Sequence, residues 1–199
     1  MNRGAGIALQ KAWKASMVKT NYSFIITHQD MKLAGIELPK SIHLGNTELF
    51  FNGAAIRSKF FIQTYIISMY AEKPIRDEKT GIESDIDRSL RMQIITPLAT
   101  SKAVSENIQN GMKSGLGSLY DKQKDLIEDL RKVIETSGVQ YKDVIDIHYT
   151  NLHELKLYKN EKEIYHNKNG KLFAQTIFGM YLGKNPKDQK IKQALLKGY

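Results

Sequence analysis

The feature that most constrains this fold is the apolar run from residue 49 to residue 70, LFFNGAAIRSKFFIQTYIISMY. Its second half, from Phe60 to Tyr70, is rich in aromatic and β-branched side chains and is almost continuously apolar. Such a short run is typical of a central strand that is covered on both faces, rather than of an amphipathic helix. The small residues Asn52–Ala55 predict a turn just before this strand.

Arg57 lies just before the apolar strand. Because burying an unpaired charge is costly, its guanidinium needs a partner. That partner could be an internal carboxylate, backbone carbonyls or the anionic group of a ligand, and the side chain could also reach solvent. The pattern alone favours an internal ion pair or a solvated side chain over a ligand contact.

The rest of the chain predicts an α+β domain built on an antiparallel sheet. The early strands are separated by Pro39 and by a Gly45-Asn46 turn, with no room for helical crossovers. Later apolar patterns predict four more strands, at Leu90–Ile95, Val144–Tyr149, His153–Tyr158 and Lys162–His166. They also predict four helices, at Lys102–Met112, about Ser118–Ser137, Lys171–Leu182 and Asp188–Lys197. Gly115 and Gly117 are expected to end the first helix, and residues 76–87 to form a loop with a short helical turn.

The composition restricts the chemistry. The chain of 199 residues has no cysteine, which excludes thiol catalysis, disulfides and cysteine–zinc sites. Its net charge of +9 favours acidic partners, but acids and bases are interleaved, which favours a solvated basic surface. The aromatic residues occur mainly in apolar runs, so we expect no nucleic-acid binding. The five histidines are not spaced as metal ligands, so no metal is predicted. The sequence contains no phosphate-binding loop, and no cofactor is predicted.

Residues 1–32 are predicted to be a basic amino-terminal extension of a domain at 33–199. Leu9, Trp13 and Met17 would share one face of a helix, which could contact a membrane surface, cap the domain or belong to a disordered segment. The extension lacks the apolar core of a secretory signal, and no run is long enough for a membrane helix. We therefore expect a soluble protein, cytoplasmic by default.

Three segments, within a stretch from about Ile36 to Leu196, resemble a known family, and the third, at Arg91–Asn107, is taken up below. Gly53-Ala54-Ala55-Ile56-Arg57 and the following strand to Tyr70 look like a turn and strand of chalcone isomerase-like proteins, above all their bacterial branch, and Ile177–Gly183 is similar to the family's closing helix. The resemblance implies an open-faced β-sandwich, with helices packed on one face of an antiparallel sheet and a ligand cleft between them. Bacterial relatives are often exported, but their signal is not recognisable here.

The resemblance also implies roles for single residues. The Val-x-Glu-Asn pattern at residues 104–107 places the active-site asparagine of the isomerases at Asn107, and their catalytic tyrosine then falls at Thr100 and their lysine near Arg91. Tyr65 occupies the position of an active-site threonine, and Met180 and Tyr181 that of a pocket-lining pair. Fatty-acid-binding relatives hold the ligand head group with an arginine and a tyrosine, which correspond to Arg57 and Tyr65.

These correspondences predict a non-catalytic protein that binds a fatty acid or a similar apolar carboxylate. The ligand-binding residues would be Arg57, Tyr65, Asn107, Met180 and Tyr181. The alternative is an intramolecular lyase that cyclises a chalcone-like substrate to a flavanone with Arg57, Asn107 and Thr100. The missing phenol at Thr100 counts against this alternative, because a threonine hydroxyl cannot reach as far. A binding module on a membrane surface, using the basic amino terminus, is a third hypothesis.

Overall fold

The computed structural model describes residues 31–59, 61–116, 119–186 and 188–198. Within these residues there are nine strands: β1 (Lys32–Leu33), β2 (Ile36–Glu37), β3 (Ser41–Leu44), β4 (Thr47–Lys59), β5 (Ile62–Ala71), β6 (Arg88–Ile94), β7 (Val144–Tyr149), β8 (Leu155–Lys159) and β9 (Lys162–Asn167). The same residues contain six helices: α1 (Glu78–Glu83), α2 (Ser101–Leu116), α3 (Leu119–Lys122), α4 (Lys124–Thr136), α5 (Lys171–Leu182) and α6 (Gln189–Leu195).

The compact unit of the structure begins at Met31. Lys32 and Leu33 form strand β1, which pairs with β2. Of the amino-terminal extension predicted at 1–32, only Met31 and Lys32 lie among the described residues, and both belong to this unit. In the part of the chain that the structure describes, no helix is long and apolar enough to cross a membrane.

Strands β3 to β9 form one antiparallel sheet in which their order in space is their order in the chain. Hairpins or short connections join most neighbours, as antiparallel pairing allows. The connection from β6 to β7 is much longer and carries α2, α3 and α4. The predicted α+β class, an antiparallel sheet with packed helices, is confirmed.

The turn predicted at Asn52–Ala55 is wrong. Strand β4 runs through these residues without a break, with a register shift between Phe51 and Gly53, and the chain reverses only after Lys59, which pairs with Ile62. A Cβ at Gly53 would lie 2.0 Å from the carbonyl oxygen of Ala194 in α6. The small residue therefore serves the close approach of a helix to the strand, rather than a turn.

Asn52 fixes the same helix to the sheet. Its buried side chain donates through Nδ2 to the carbonyls of Leu195 (2.7 Å) and Ile75 (2.8 Å), and its Oδ1 accepts from the Ile75 amide. The bond to Leu195 satisfies a carbonyl that the end of α6 would otherwise leave without a partner. Asn52 and Gly53 together hold the carboxyl-terminal end of α6 against β4, and this packing matters for the site described below.

The two faces of the sheet bury different clusters. One face packs against α2, α4, α5 and α6 around side chains such as Ile67, Met92, Ile147 and Phe178. The other face carries a smaller cluster that includes Ile66 and Tyr70 and is covered by residues of β1 to β3. Strand β5 contributes to both clusters, as its nearly continuous apolar sequence predicts.

Two helices differ from their predicted extents. Helix α2 continues through Gly115 to Leu116 instead of ending near Met112, because its packing against α4 and α5 outweighs the cost of about 1 kcal/mol for glycine in a helix. The region expected to be mainly a loop contains α1, which Asp77 caps by accepting from the Thr80 amide. The capping residue expected at Ser118 lies outside the described residues.

Candidate functional site

The candidate site is built on the end of the β4–β5 hairpin. Arg57 on β4 and Tyr65 on β5 are direct register partners, so their side chains leave the same face of the sheet. Tyr65 belongs to the cluster that packs against the helices. The register shifts again just after Arg57, and Thr64 donates its hydroxyl to the Arg57 carbonyl at 2.9 Å. The pair therefore faces the space between sheet and helices.

Arg57 forms an internal ion pair. Its Nη1 lies 3.1 Å from Oδ2 of Asp188, and the two side chains are 18% and 33% exposed. Asp188 is also the N-cap of α6, where its Oδ1 accepts from the Lys190 amide at 3.0 Å. A guanidinium has five N–H donors, so this pairing leaves donors for a further acceptor.

Two buried phenols lie beside this ion pair. The hydroxyls of Tyr65 and Tyr181, the latter on α5, are 3.3 Å apart. Burial raises the pKa of Tyr65 and raises that of Tyr181 further, while the charge of Arg57 acts in the opposite direction on both. Both groups are therefore neutral near pH 7 and can donate hydrogen bonds.

Close packing of α2 against α5 brings two more predicted residues to the same place. A Cβ at Gly111 would lie 2.1 Å from the Met180 sulfur, so any larger residue there would force the Met180 side chain to move. Asn107 lies four positions earlier on α2 and therefore on the same side of the helix. Met180 itself is buried, whereas Asn107 is half-buried.

All five residues predicted to bind a ligand line one small cavity of about 10 Å³. Its wall consists of Arg57, Tyr65, Asn107, Met180, Tyr181, Asp188 and Ile191. Asp188 and Ile191 were not among the predicted residues. The cavity combines a cation, two phenols and an amide, which are groups that bind oxygen anions.

A larger, mainly apolar cavity of about 190 Å³ adjoins it. Tyr65 and Asn107 line both cavities, so the small polar space lies at one end of the larger apolar one. The other residues of the apolar wall come from β5, β6, the connection after β6 and the first turns of α2: Ile62, Thr64, Met92, Ile94, Thr96, Leu98, Ala99, Ala103 and Val104. A cleft of this kind has the usual form of a small-molecule site.

The sequence model of the chalcone isomerase-like family matches residues 30–197, which is most of the chain. The chain belongs to the chalcone isomerase-like family. A crystal structure of a fatty-acid binding protein from Arabidopsis thaliana superposes on this chalcone isomerase-like protein with a TM-score of 0.63 at 18% identity, over 82% of this chain and 92% of that one. No curated protein matches the sequence.

Two positions that the isomerases use for catalysis lie elsewhere in this chalcone isomerase-like protein. Thr100 is exposed and lines neither cavity; its Oγ1 accepts from the Ala103 amide at 3.2 Å, at the start of α2. Arg91 points to the opposite face of the sheet, where Asp146 holds it through two bonds of 2.8 and 2.9 Å. The structure therefore brings Arg57 and Asn107 together, but not Thr100.

The chemistry that these groups support is the binding of an anion beside an apolar chain. Arg57 supplies positive charge, and Tyr65 and Tyr181 supply neutral donors. Among the described residues, no group of three or more histidine and acidic side chains is arranged to hold a metal ion. Asp188 could have been recognised in the sequence as a helix cap, since an Asp after Pro186 precedes an amphipathic segment, but nothing local indicates that it pairs with Arg57.

Proposed function

We propose that this chalcone isomerase-like protein binds a fatty acid or a similar apolar carboxylate between its sheet and helices, without converting it chemically. The observation that carries the proposal is the junction of the two cavities at Tyr65 and Asn107. The small cavity holds about one water as it stands, so a carboxylate head group would enter it as the Tyr65 hydroxyl turns from Tyr181, with the tail in the larger cavity.

Arg57 binds the head group in this proposal. Asp188 accepts from Nη1, and the remaining N–H groups of the guanidinium can donate to a second carboxylate. A hydrogen bond between two charged groups is stronger than one between neutral groups, and a half-buried site screens it less than bulk water does. The Tyr65 hydroxyl, which now bonds Tyr181, turns to the ligand as a neutral donor.

The tail lies against the apolar wall. A cavity of about 150 Å³ can hold a molecule of the size of benzene, so about 190 Å³ accommodates a short alkyl chain without rearrangement. The wall residues Met92, Ile94 and Val104 are buried apolar side chains. The structural neighbour from Arabidopsis thaliana is a fatty-acid binding protein, which supports the same class of ligand.

The absence of a phenol at Thr100 supports binding without catalysis. The resemblance implies that the isomerases place a tyrosine at this position to orient the reacting ketone. Here the residue is an exposed threonine whose hydroxyl bonds the backbone of α2. The polar groups that do face the small cavity, two phenols among them, can hold an anion.

The test combines extraction of bound molecules with direct binding. Denaturing mass spectrometry of the purified protein should release fatty acids from the wild type and not from Arg57→Gln, and calorimetry should show octanoate binding to the wild type alone. Arg131→Gln is the matched control, because Arg131 is also held by carboxylates, those of Glu128 and Glu135, but lines neither cavity. It should retain both the extracted ligand and octanoate binding.

Two results would contradict the proposal. Equal octanoate affinity of wild type and Arg57→Gln would show that Arg57 does not hold the carboxylate. Conversion of a chalcone-like substrate to a flavanone, lost in Arg57→Gln and retained in Arg131→Gln, would establish the isomerase alternative instead.

A further inference from the structure

The apolar cavity opens between exposed apolar side chains. Ile62 and Leu98 line it and are 46% and 70% exposed. Phe61, the residue before Ile62, is fully exposed at the tip of the β4–β5 hairpin. Single exposed apolar residues are ordinary, but several around the mouth of an apolar cavity mark an interaction surface.

The conformation of Phe61 makes its exposure more informative. Lys59 pairs with Ile62, so the hairpin has a two-residue loop, and Phe61 lies in the left-handed region with φ of 67°. Glycine and asparagine suit such a position, whereas a bulky aromatic residue there is uncommon and strained. Folding therefore gains nothing from this phenylalanine, because its ring is solvated and its backbone is strained.

The same end of the sheet carries a further aromatic residue and exposed lysines. In an antiparallel sheet of consecutive strands, the tips of the β4–β5 and β8–β9 hairpins and the connection from β6 to β7 lie at one end. Tyr141 and Lys142 lie on that connection, both exposed, with the ammonium 5.5 Å from the ring centroid. Lys162 begins β9 and is exposed. Two acids, Glu161 and Glu163, are exposed beside it.

From these observations we infer that the cavity mouth docks on an anionic lipid membrane. The mouth surface, defined as Phe61, Ile62, Leu98, Tyr141 and Lys142, would insert its apolar side chains at the headgroup level, while the lysine contacts anionic lipid. Aromatic rings favour this interface and lysines extend to it. The net charge of +9 adds attraction over longer range. Docking in this orientation lets an apolar ligand pass between bilayer and cavity without crossing water.

The first test uses flotation of the full chain with vesicles of phosphatidylcholine and phosphatidylglycerol at a ratio of 3:1. Phe61→Asn is the main variant, because asparagine tolerates the left-handed backbone while removing the ring. We expect its vesicle-bound fraction to fall at least about fivefold, with a melting temperature equal to or above that of the wild type. Loss of lipid binding without loss of stability separates docking from folding.

A matched control lies at the opposite end of the sheet. Leu152, on the connection from β7 to β8, is 75% exposed, close to the 70% of Leu98. Leu98→Ser should reduce vesicle binding and Leu152→Ser should not.

A second pair of variants tests the charge of the surface. Lys142→Glu should weaken vesicle binding by about tenfold, because each lysine near an anionic surface raises the affinity about fivefold and the glutamate also introduces repulsion. Lys73→Glu, also exposed and at the opposite end, should change it by less than about twofold.

Three outcomes would overturn the inference. Unchanged vesicle binding in both Phe61→Asn and Leu98→Ser would place the lipid contact elsewhere on the protein. Failure of the wild type and of all variants to bind vesicles would exclude membrane docking. A wild-type dimer that Phe61→Asn converts to a monomer, without lipid binding, would assign the surface to a second copy of the chain. Arg57→Gln should bind vesicles as the wild type does, so failure of carboxylate binding and failure of membrane docking are distinguishable.

Discussion

Arg57 and Asp188 lie 131 positions apart in the chain and meet with 3.1 Å between Nη1 and Oδ2. The second oxygen of Asp188 caps α6, so one carboxylate joins the end of β4 to the start of a helix. This pairing is one of the two arrangements, an internal ion pair or a solvated side chain, that the sequence favoured for Arg57. It also places a negative charge at the position where a ligand carboxylate would bind, so the two anions compete for one cation.

We expect Asp188→Asn to strengthen carboxylate binding. The substitution removes the competing charge, and asparagine caps helices about as well as aspartate. Because both side chains are partly exposed, the repulsion removed is about 1 kcal/mol, which corresponds to an increase in octanoate affinity of about fivefold. Calorimetry at low salt measures this change. Asp77→Asn, at the N-cap of α1, is the control and should leave the octanoate affinity unchanged. Weaker octanoate binding by Asp188→Asn would mean that Asp188 orients Arg57 for the ligand rather than competing with it.

Tyr65→Phe should weaken octanoate binding by about tenfold, because the ligand loses one hydrogen bond to a charged acceptor. The variant should also lose about 1 kcal/mol of folding stability, since the buried Tyr181 hydroxyl loses its partner at 3.3 Å. Calorimetry and urea unfolding measure the two effects. Tyr120→Phe removes a comparable bond, to Gln109 at 3.2 Å, away from both cavities, and should leave affinity unchanged. Equal affinity of Tyr65→Phe and wild type would exclude Tyr65 from head-group binding.

Ala99→Phe should reduce binding of octanoate by filling the apolar cavity. Ala99 is half-buried and lines only the larger cavity, and a benzyl group would occupy much of its volume of about 190 Å³. We expect at least a tenfold loss of affinity for octanoate, with little change in melting temperature, measured by calorimetry and differential scanning fluorimetry. Ala99→Ser adds little volume and should bind within about twofold of the wild type. Unchanged binding by Ala99→Phe would place the tail outside this cavity.

His148 should make the protein less stable below pH 6.5. Burial lowers the pKa of this histidine to about 4, with the nearby Asp87 acting in the opposite direction and Lys156 in the same direction. In the unfolded chain the pKa is near 6.5, so the unfolded state binds more protons between pH 6.5 and 4. Stability is therefore unaffected above this window and falls by about 3 kcal/mol as the pH drops through it.

Urea unfolding between pH 7 and pH 4 checks this dependence. His148→Gln removes the titrating group and should flatten the profile between pH 6.5 and 4.5. His43→Gln replaces an exposed histidine and should retain the wild-type profile. If His148→Gln kept the full dependence, other groups would be responsible.

The sequence predicted most of the fold because its local patterns agree with the tertiary structure. The long apolar strand is β5, and the helix predicted at Lys171–Leu182 begins and ends as expected. The prediction failed at Asn52–Ala55, where small residues resemble a turn. At Gly53 the small size is instead required by the carbonyl of Ala194, a contact with a helix far along the chain that no local pattern encodes.

The candidate site likewise has residues that the sequence identified and residues that it did not. Arg57, Tyr65, Asn107, Met180 and Tyr181 were named from the family resemblance, and the structure brings them to one cavity; their role in ligand binding stays a prediction. Asp188 was missed because its pairing depends on where α6 packs against β4. The apolar wall around Ala99 was missed because it forms only when α2 closes over β6.

The long connection from β6 to β7 contributes to both cavities from one continuous stretch of chain. Its residues Leu98, Ala103 and Val104 line the apolar cavity and its Asn107 lines both, whereas Arg57 and Tyr181 of the small cavity come from segments before and after it. Substitutions in that stretch at positions other than Asn107 would therefore reshape the apolar cavity while leaving the residues around Arg57 in place. The volume of the cleft and the charge at its end can thus vary independently in this fold.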